Sequence, residues 1–425
     1  MGRLFEDLIK EWWAWKLPEI KPRELDLTEY HNTKVKKVLS VTGFRRVGKT
    51  FLLLDFARKI GQENCIYINF EDERIPQRVE ILTELIQVIK ELKGNKGLVL
   101  LLDEIQNIPG WSKWVRRVNE TQNYSLIITG SSSKLSSKEI PTELRGRCIS
   151  VEVFPLNFNE FLKFKNQDIS QLPEGEKFNL LREYLIYGGF PEVVLVDEGK
   201  KHLVLDEYYR TFLTRDIEER YHPRHRRAIR DIIKLLLNSS YYTIGKLTNT
   251  LKSLNYKIGK STVSNYIHWL EESFFLQLLE IHSPRVKDRL QHPKKVYFID
   301  NFFISRFSSN FSQNLGRLME NFVGLRLNQK IQRNPGMEIY YWRDYYEREV
   351  DFIIRENFKV IELIQVTYAS TREEIQEREI KSLIRASKEL ECNNLTLISW
   401  NFAGLINVKK IKIRIIPLLI WLLNE

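Results

Sequence analysis

The chain has 425 residues, of which 43% are hydrophobic and 28% charged, the proportions of a folded globular protein, so a disordered or collagen-like chain is excluded. At roughly one domain per 150 residues, this length points to two or three domains with a core in each. Lys and Arg number 66 against 55 Asp and Glu, and the resulting +11 favours an anionic partner such as nucleic acid or a membrane surface. Cys65, Cys148 and Cys392 are odd in number and far apart, which excludes a disulfide framework and a zinc ribbon and implies a reducing, cytoplasmic setting. Charged residues interrupt the first 20 positions, and the apolar runs 98–102 and 415–423 are shorter than the roughly 20 residues that span a bilayer. Neither secretion nor a membrane span is expected, and of the two anionic partners DNA is the one expected, not a membrane.

An amphipathic opening segment with Trp12, Trp13 and Trp15 ends at the break between Pro18 and Pro22. Alternating strands and helices follow: strand 38–42, helix 49–59, strand 65–70, helix 79–93, strand 97–103, helix 111–120 and strand 125–129. This alternation predicts a doubly wound parallel sheet. Residues 140–206 read as a helical lid on that domain, within which the turn Gly188-Gly189-Phe190-Pro191 closes a helical stretch. Helices at 226–237, 243–253 and 260–272, followed by β-rich segments 274–281 and 295–300, suit a winged helix-turn-helix. A third α/β domain then runs helix 316–331, strands 338–342, 349–354 and 360–368, helix 372–390 and strand 395–400. The expected domains are therefore 1–206, 207–312 and 313–425.

Gly43-Phe44-Arg45-Arg46-Val47-Gly48-Lys49-Thr50 matches G-x-x-x-x-G-K-[ST] between a buried strand and a helix. Glycines let the loop wrap so that its N–H groups face phosphate oxygens, and the helix N-terminus adds its positive dipole end. Lys49 is expected to reach the β- and γ-phosphates of ATP, and Thr50 to hold Mg²⁺. The strand Leu98-Val99-Leu100-Leu101-Leu102 ends in Asp103 and Glu104, as a Walker B element does. Asp103 is assigned to the metal and Glu104 to the attacking water. Ser131, at the polar tip of strand 125–129, is the expected γ-phosphate sensor. Arg145 and Arg147 are candidates for a cation at the γ-phosphate, in cis or from a neighbouring subunit, which would bring self-association through this domain.

These motifs, together with Leu102-Asp103-Glu104-Ile105-Gln106, Thr129-Gly130-Ser131-Ser132, Leu144-Arg145-Gly146-Arg147, Tyr187-Gly188-Gly189-Phe190-Pro191-Glu192 and Glu349-Val350-Asp351-Phe352, are spread over most of the chain. The set resembles archaeal and bacterial AAA+-type ATPases close to the origin-recognition and STAND clades, which carry a winged helix and a C-terminal nuclease-like domain. The resemblance implies ATP binding and hydrolysis.

Residues 201–300 hold 18 Lys and Arg against 11 Asp and Glu. Lys257, Lys260, Ser261, Thr262, Ser264, Asn265 and His268 would decorate a recognition helix able to meet phosphates and base edges of DNA. Arg285, Lys287, Arg289, Lys294 and Lys295 would form a wing on the backbone. The alternative is a solvated basic face on a module used for protein packing, as in a STAND-type scaffold.

A PD-(D/E)XK nuclease needs acidic ligands for Mg²⁺ and a lysine to organise the attacking water. Glu320 and Asp351 suit the acidic places. On strand 360–368, however, Gln365 and Thr367 stand where the acid and the lysine belong, and Glu362 points to the other face. Gln365 can still offer a carbonyl oxygen, but Thr367 cannot replace an ammonium group. A degenerate nuclease-like domain is expected, with an active magnesium-dependent nuclease and an unrelated structural domain as alternatives.

Overall fold

The computed structural model describes residues 2–31, 35–94, 97–130, 144, 146–308, 315–409 and 411–424. The chain divides into two compact units at 154/155.

The first unit holds β1 (Val38–Thr42), β2 (Cys65–Asn69), β3 (Leu98–Asp103), β4 (Tyr124–Gly130) and β5 (Cys148–Glu152) in one sheet of order β2-β3-β4-β1-β5. Every pairing is parallel. All five residues of β1 and all six of β3 are buried, as expected of strands covered by helices on both faces. Helices Lys49–Ile60, Glu80–Lys93 and Trp111–Thr121 are the crossovers. The opening segment is a helix, Gly2–Ala14, which sets Phe5 and Ile9 into the core beside β2. Trp12 and Trp13 both donate from Nε1 to the Cys65 carbonyl, at 2.9 and 3.2 Å.

The second unit opens with helices Phe158–Phe164, Glu174–Tyr187, Pro191–Leu195 and Glu198–Thr211, the last running on through a π-helical turn, Phe212–Glu218. Sequence reading assigned residues 140–206 to the first domain as its lid. The structure instead packs helix 174–187 on Asn301–Phe307 and Leu315–Arg333, with Tyr184 stacked on Phe322 at 4.3 Å. The Gly-Gly-Phe-Pro turn joins these layers: Gly189 N–H donates to Asp300 Oδ2 (2.8 Å), and Leu156 N–H to the Gly189 carbonyl (2.7 Å).

Helix Arg226–Leu237 buries Ala228, Ile229, Ile232, Ile233, Leu236 and Leu237, one stripe of its amphipathic pattern. After it come β6 (Tyr241–Tyr242), helices Ile244–Ser253 and Lys260–Glu272, β7 (Leu276–Leu279), a short helix Val286–Gln291 and β8 (Lys294–Phe298). The three strands form an antiparallel sheet of order β6-β8-β7.

Past helix 315–333, β9 (Met337–Arg343), β10 (Glu349–Glu356) and β11 (Lys359–Val366) precede helix Glu377–Glu389 and β12 (Leu395–Ser399), the expected order. Sequence reading missed β13 (Gly404–Val408), β14 (Ile411–Pro417) and helix Leu418–Asn424, which complete a sheet of order β13-β14-β12-β11-β10-β9. Among the described residues no helix is long and apolar enough to cross a membrane.

Candidate functional site

The loop after β1 is shaped by its glycines. Gly43 has φ 141°, and a Cβ there would stand 2.3 Å from the Val153 carbonyl oxygen, so only glycine fits between β1 and the chain leaving β5. Gly48, at φ 99°, turns directly into helix 49–60. Phe44 and Val47 are buried and peg the loop to the core. Arg23, which sequence reading passed over, braces it from below, donating to the Val47 and Phe154 carbonyls at 3.0 Å each. Lys49 is buried, with Nζ donating to the Gly43 and Phe44 carbonyls at 3.2 and 3.1 Å and lying 3.8 Å from Glu104 Oε1.

Asp103, at the head of β3, is 1% exposed. Its Oδ2 accepts from Thr50 Oγ1 (2.7 Å) and Tyr67 OH (2.9 Å), and its Oδ1 from Thr129 Oγ1. Burial, reinforced by the neighbouring Glu104 charge, pushes the Asp103 carboxyl up, while these three hydroxyls oppose the shift. Thr129 also accepts from the Glu104 N–H at 3.0 Å, and Gln106 donates to the Glu104 carboxylate. Glu104 itself sits at φ 51°, a left-handed conformation that turns its side chain out of the strand. Hydroxyl and carboxylate oxygens from Thr50 and Asp103 are the hard donors that Mg²⁺ takes, so this pair fits the ion.

Tyr67 and Thr129 were missed from sequence. The one readable signal was Thr129, a hydroxyl directly after the apolar run Leu126-Ile127-Ile128. Ser131 and Arg145 lie outside the described residues. Arg147 is brought elsewhere: its carbonyl accepts from Val38 N–H at the start of β1, the end of the sheet opposite Gly43. Its Nε pairs with Glu120 at 2.5 Å, so it does not serve the phosphate loop of its own chain.

In the second unit Lys257, Lys260, Ser261, Ser264, Asn265 and His268 are exposed, and Thr262 is half-buried. Ser261, Asn265 and His268 fall on one helical face. Arg285 and Lys287 are exposed; Arg289 is half-buried and donates to Tyr340 OH at 3.2 Å. Lys294 pairs with Glu280 at 2.9 Å. Lys295 overturns its expected place on a basic wing, because its side chain is 2% exposed.

Glu320 and Asp351 do converge, but around that lysine. Lys295 Nζ lies 2.8 Å from Glu320 Oε1 and 2.7 Å from Asp351 Oδ1. Gln365 faces the set and accepts from the Asp351 N–H at 3.3 Å, whereas Glu362 turns away to Thr396 Oγ1 at 2.7 Å. With an ammonium already between the two acids, this set does not fit Mg²⁺. Among the described residues no three His, Cys, Asp or Glu side chains are arranged to hold a metal ion.

The chain is 38% identical over 403 residues to an uncharacterized protein of Methanocaldococcus jannaschii, covering 91% of this chain and 88% of that one. It is 30% identical over 351 residues to an uncharacterized protein of Haemophilus influenzae, covering 80% and 84%. The AAA domain family matches residues 35–162, and two domains of unknown function match 178–314 and 315–417. Among solved structures, the Walker-type ATPase of Pyrococcus abyssi aligns with a TM-score of 0.46 at 16% identity, over 68% of this chain and 98% of that one. The AAA match spans the phosphate loop and the β3 carboxylates, and the chain belongs to the AAA+-type P-loop ATPase family.

Proposed function

We propose that the protein binds Mg²⁺-ATP at the loop after β1, hydrolyses it, and couples hydrolysis to rearrangement of a DNA-binding winged helix and a nuclease-like module. The observation that carries the ATPase reading is the network in which Asp103 receives Thr50 and Thr129 while Thr129 fixes the Glu104 backbone. Lys49 exchanges its two loop carbonyls for β- and γ-phosphate oxygens, and the loop amides hold the remaining charge. Thr50 and Asp103 hold the ion. Mg²⁺, when bound, neutralises charge on the phosphates. Glu104 orients the attacking water and receives its proton, Ser131 reads the γ-phosphate, and Arg145 or Arg147 is offered to a neighbouring subunit.

The DNA reading rests on the exposed face bearing Ser261, Asn265 and His268, with exposed Lys257 and Lys260 at the start of the helix and exposed Arg285 and Lys287 in the segment between β7 and β8. Its helix–strand–helix–helix–strand order, closed by β8 after the short helix 286–291, supports a winged helix. A STAND-type scaffold is favoured instead by Val286 and Leu290, which are 58% and 68% exposed in the segment expected to touch DNA. The test is the ATP hydrolysis rate with and without single-stranded, duplex and branched DNA at two salt concentrations. Stimulation by one form, lost at high salt, supports the DNA reading; a rate indifferent to all of them supports the scaffold. Unchanged turnover in Lys49→Ala would remove the ATPase mechanism itself.

A further inference from the structure

Lys295 belongs to β8, and the carboxylates around it belong to helix 315–333 and β10. Its Nζ is 2.8 Å from Glu320 Oε1, 2.6 Å from Glu349 Oε1 and 2.7 Å from Asp351 Oδ1. An ammonium has three N–H donors and no acceptor, so these three oxygens satisfy it completely. The Tyr241 and Tyr341 rings flank it, with centroids 5.5 and 6.0 Å from Nζ. The acids have second donors of their own: Tyr297 OH reaches Glu320 Oε1 at 2.8 Å, and Val366 N–H reaches Asp351 Oδ2 at 2.9 Å.

Lysine ordinarily keeps its head in water, and removing an ammonium to the interior is costly unless the geometry around it is good. Here the rest of the seam is built to match. Arg317, Glu320 and Asn321 stand three and four residues apart on one face of helix 315–333. Arg317 Nη2 donates to the Leu236 and Ser239 carbonyls at 3.0 Å each, closing the end of helix 226–237. The Asn321 amide accepts from Phe298 N–H (2.8 Å) and donates to the Phe298 carbonyl (2.9 Å), as a neighbouring strand would. Ile281 and Tyr341 add a parallel bridge.

We propose that Lys295 is the resident cation of the acidic pocket: the C-terminal module binds the ammonium of its own chain in the gap between Glu320 and Asp351, which closes that gap to a divalent metal and ties β8 to β10. Thr367 stands where the lysine of a PD-(D/E)XK strand belongs. The lysine that is present acts on the acids. The module is a receptor for Lys295, not a nuclease.

Two measurements on the full chain test this. The first is a thermal double-mutant cycle of Lys295→Met and Asp351→Asn. Each single change leaves a buried charge short of a partner and is expected to lower the midpoint by roughly 6–15 °C. The double change is expected to lose clearly less than the sum. If Lys295→Met does not fold alone, recovery of folding in the double variant reports the same coupling, and failure to recover counts against it. The second is a Mn²⁺ titration by electron paramagnetic resonance without nucleotide, run beside a DNA-cleavage assay. The intact protein should show no tightly held Mn²⁺ and no cutting. Additive single effects, Mn²⁺ uptake lost in Asp351→Asn, or metal-dependent cutting lost in that variant would each overturn the proposal.

Discussion

A Cβ placed on Gly188 would fall 1.6 Å from Asp300 Oδ1, so the carboxyl of the residue two past β8 occupies the space of a side chain at position 188. Gly188 also sits at φ 75°, which L side chains rarely adopt. Gly188→Ala therefore meets both a backbone penalty and a steric one, and is expected to cost about 3 kcal/mol or more in denaturant unfolding. An effect under about 1 kcal/mol would mean that the joint between helix 174–187 and Asp300 yields easily.

Asp300 is buried and accepts from the Gly189 and Phe302 N–H groups at 2.8 and 2.9 Å. Burial nevertheless wins and lifts its carboxyl to about 7. The folded state then keeps a proton that the unfolded state, with the ordinary value of 3.8, has released. This contribution is full below about pH 4 and is lost as pH rises through about 7. Thermal midpoints should fall across that window, and Asp300→Asn should flatten the fall. The amide can serve only one of the two N–H groups as an acceptor, so the variant should also lose about 1–3 kcal/mol throughout.

Thr129 offers one hydroxyl to two functional groups, donating to Asp103 and accepting from the Glu104 N–H. Thr129→Val keeps the shape and removes the hydroxyl. Turnover should drop by up to about 10²-fold while nucleotide affinity changes only a few-fold, since the loop and Lys49 are untouched. Glu104→Gln should fall further, by roughly 10²–10⁴, with binding retained. Single-turnover hydrolysis beside equilibrium nucleotide binding separates the two effects.

Lys260 is exposed at the start of helix 260–272. If this face carries DNA, Lys260→Ala should weaken duplex binding and reduce the log–log salt slope by about 0.9, the share of one neutralised phosphate. An unchanged slope would detach this helix from the phosphate backbone.

The first sheet was legible because β1, β3 and β4 are short runs dominated by apolar residues and the loop and its carboxylates sit at fixed places on them. β5 was not, since Cys148-Ile149-Ser150-Val151-Glu152 is an edge strand only partly covered and its apolar content is diluted. Long-range partners left no local trace. Tyr67 lies 36 residues from Asp103, and nothing near it in sequence marks its hydroxyl as a tether. Lys295 was misread for the same reason: beside Lys294 it looks like half of a basic pair, and only helix 315–333 and β10, 25 and 56 residues on, reveal that it faces acids. The Gly-Gly-Phe-Pro turn was seen as punctuation. Its strictness comes from Asp300, more than a hundred residues away.

A cut made just before residue 315 would pass between Lys295 and all of its acids. The excised C-terminal piece would keep Glu320, Glu349 and Asp351 around a hollow of like charge, and such neighbours raise one another's affinity for a proton or another cation. Metal affinity measured on that piece would then describe the amputation. The natural ligand would have been discarded with the other fragment.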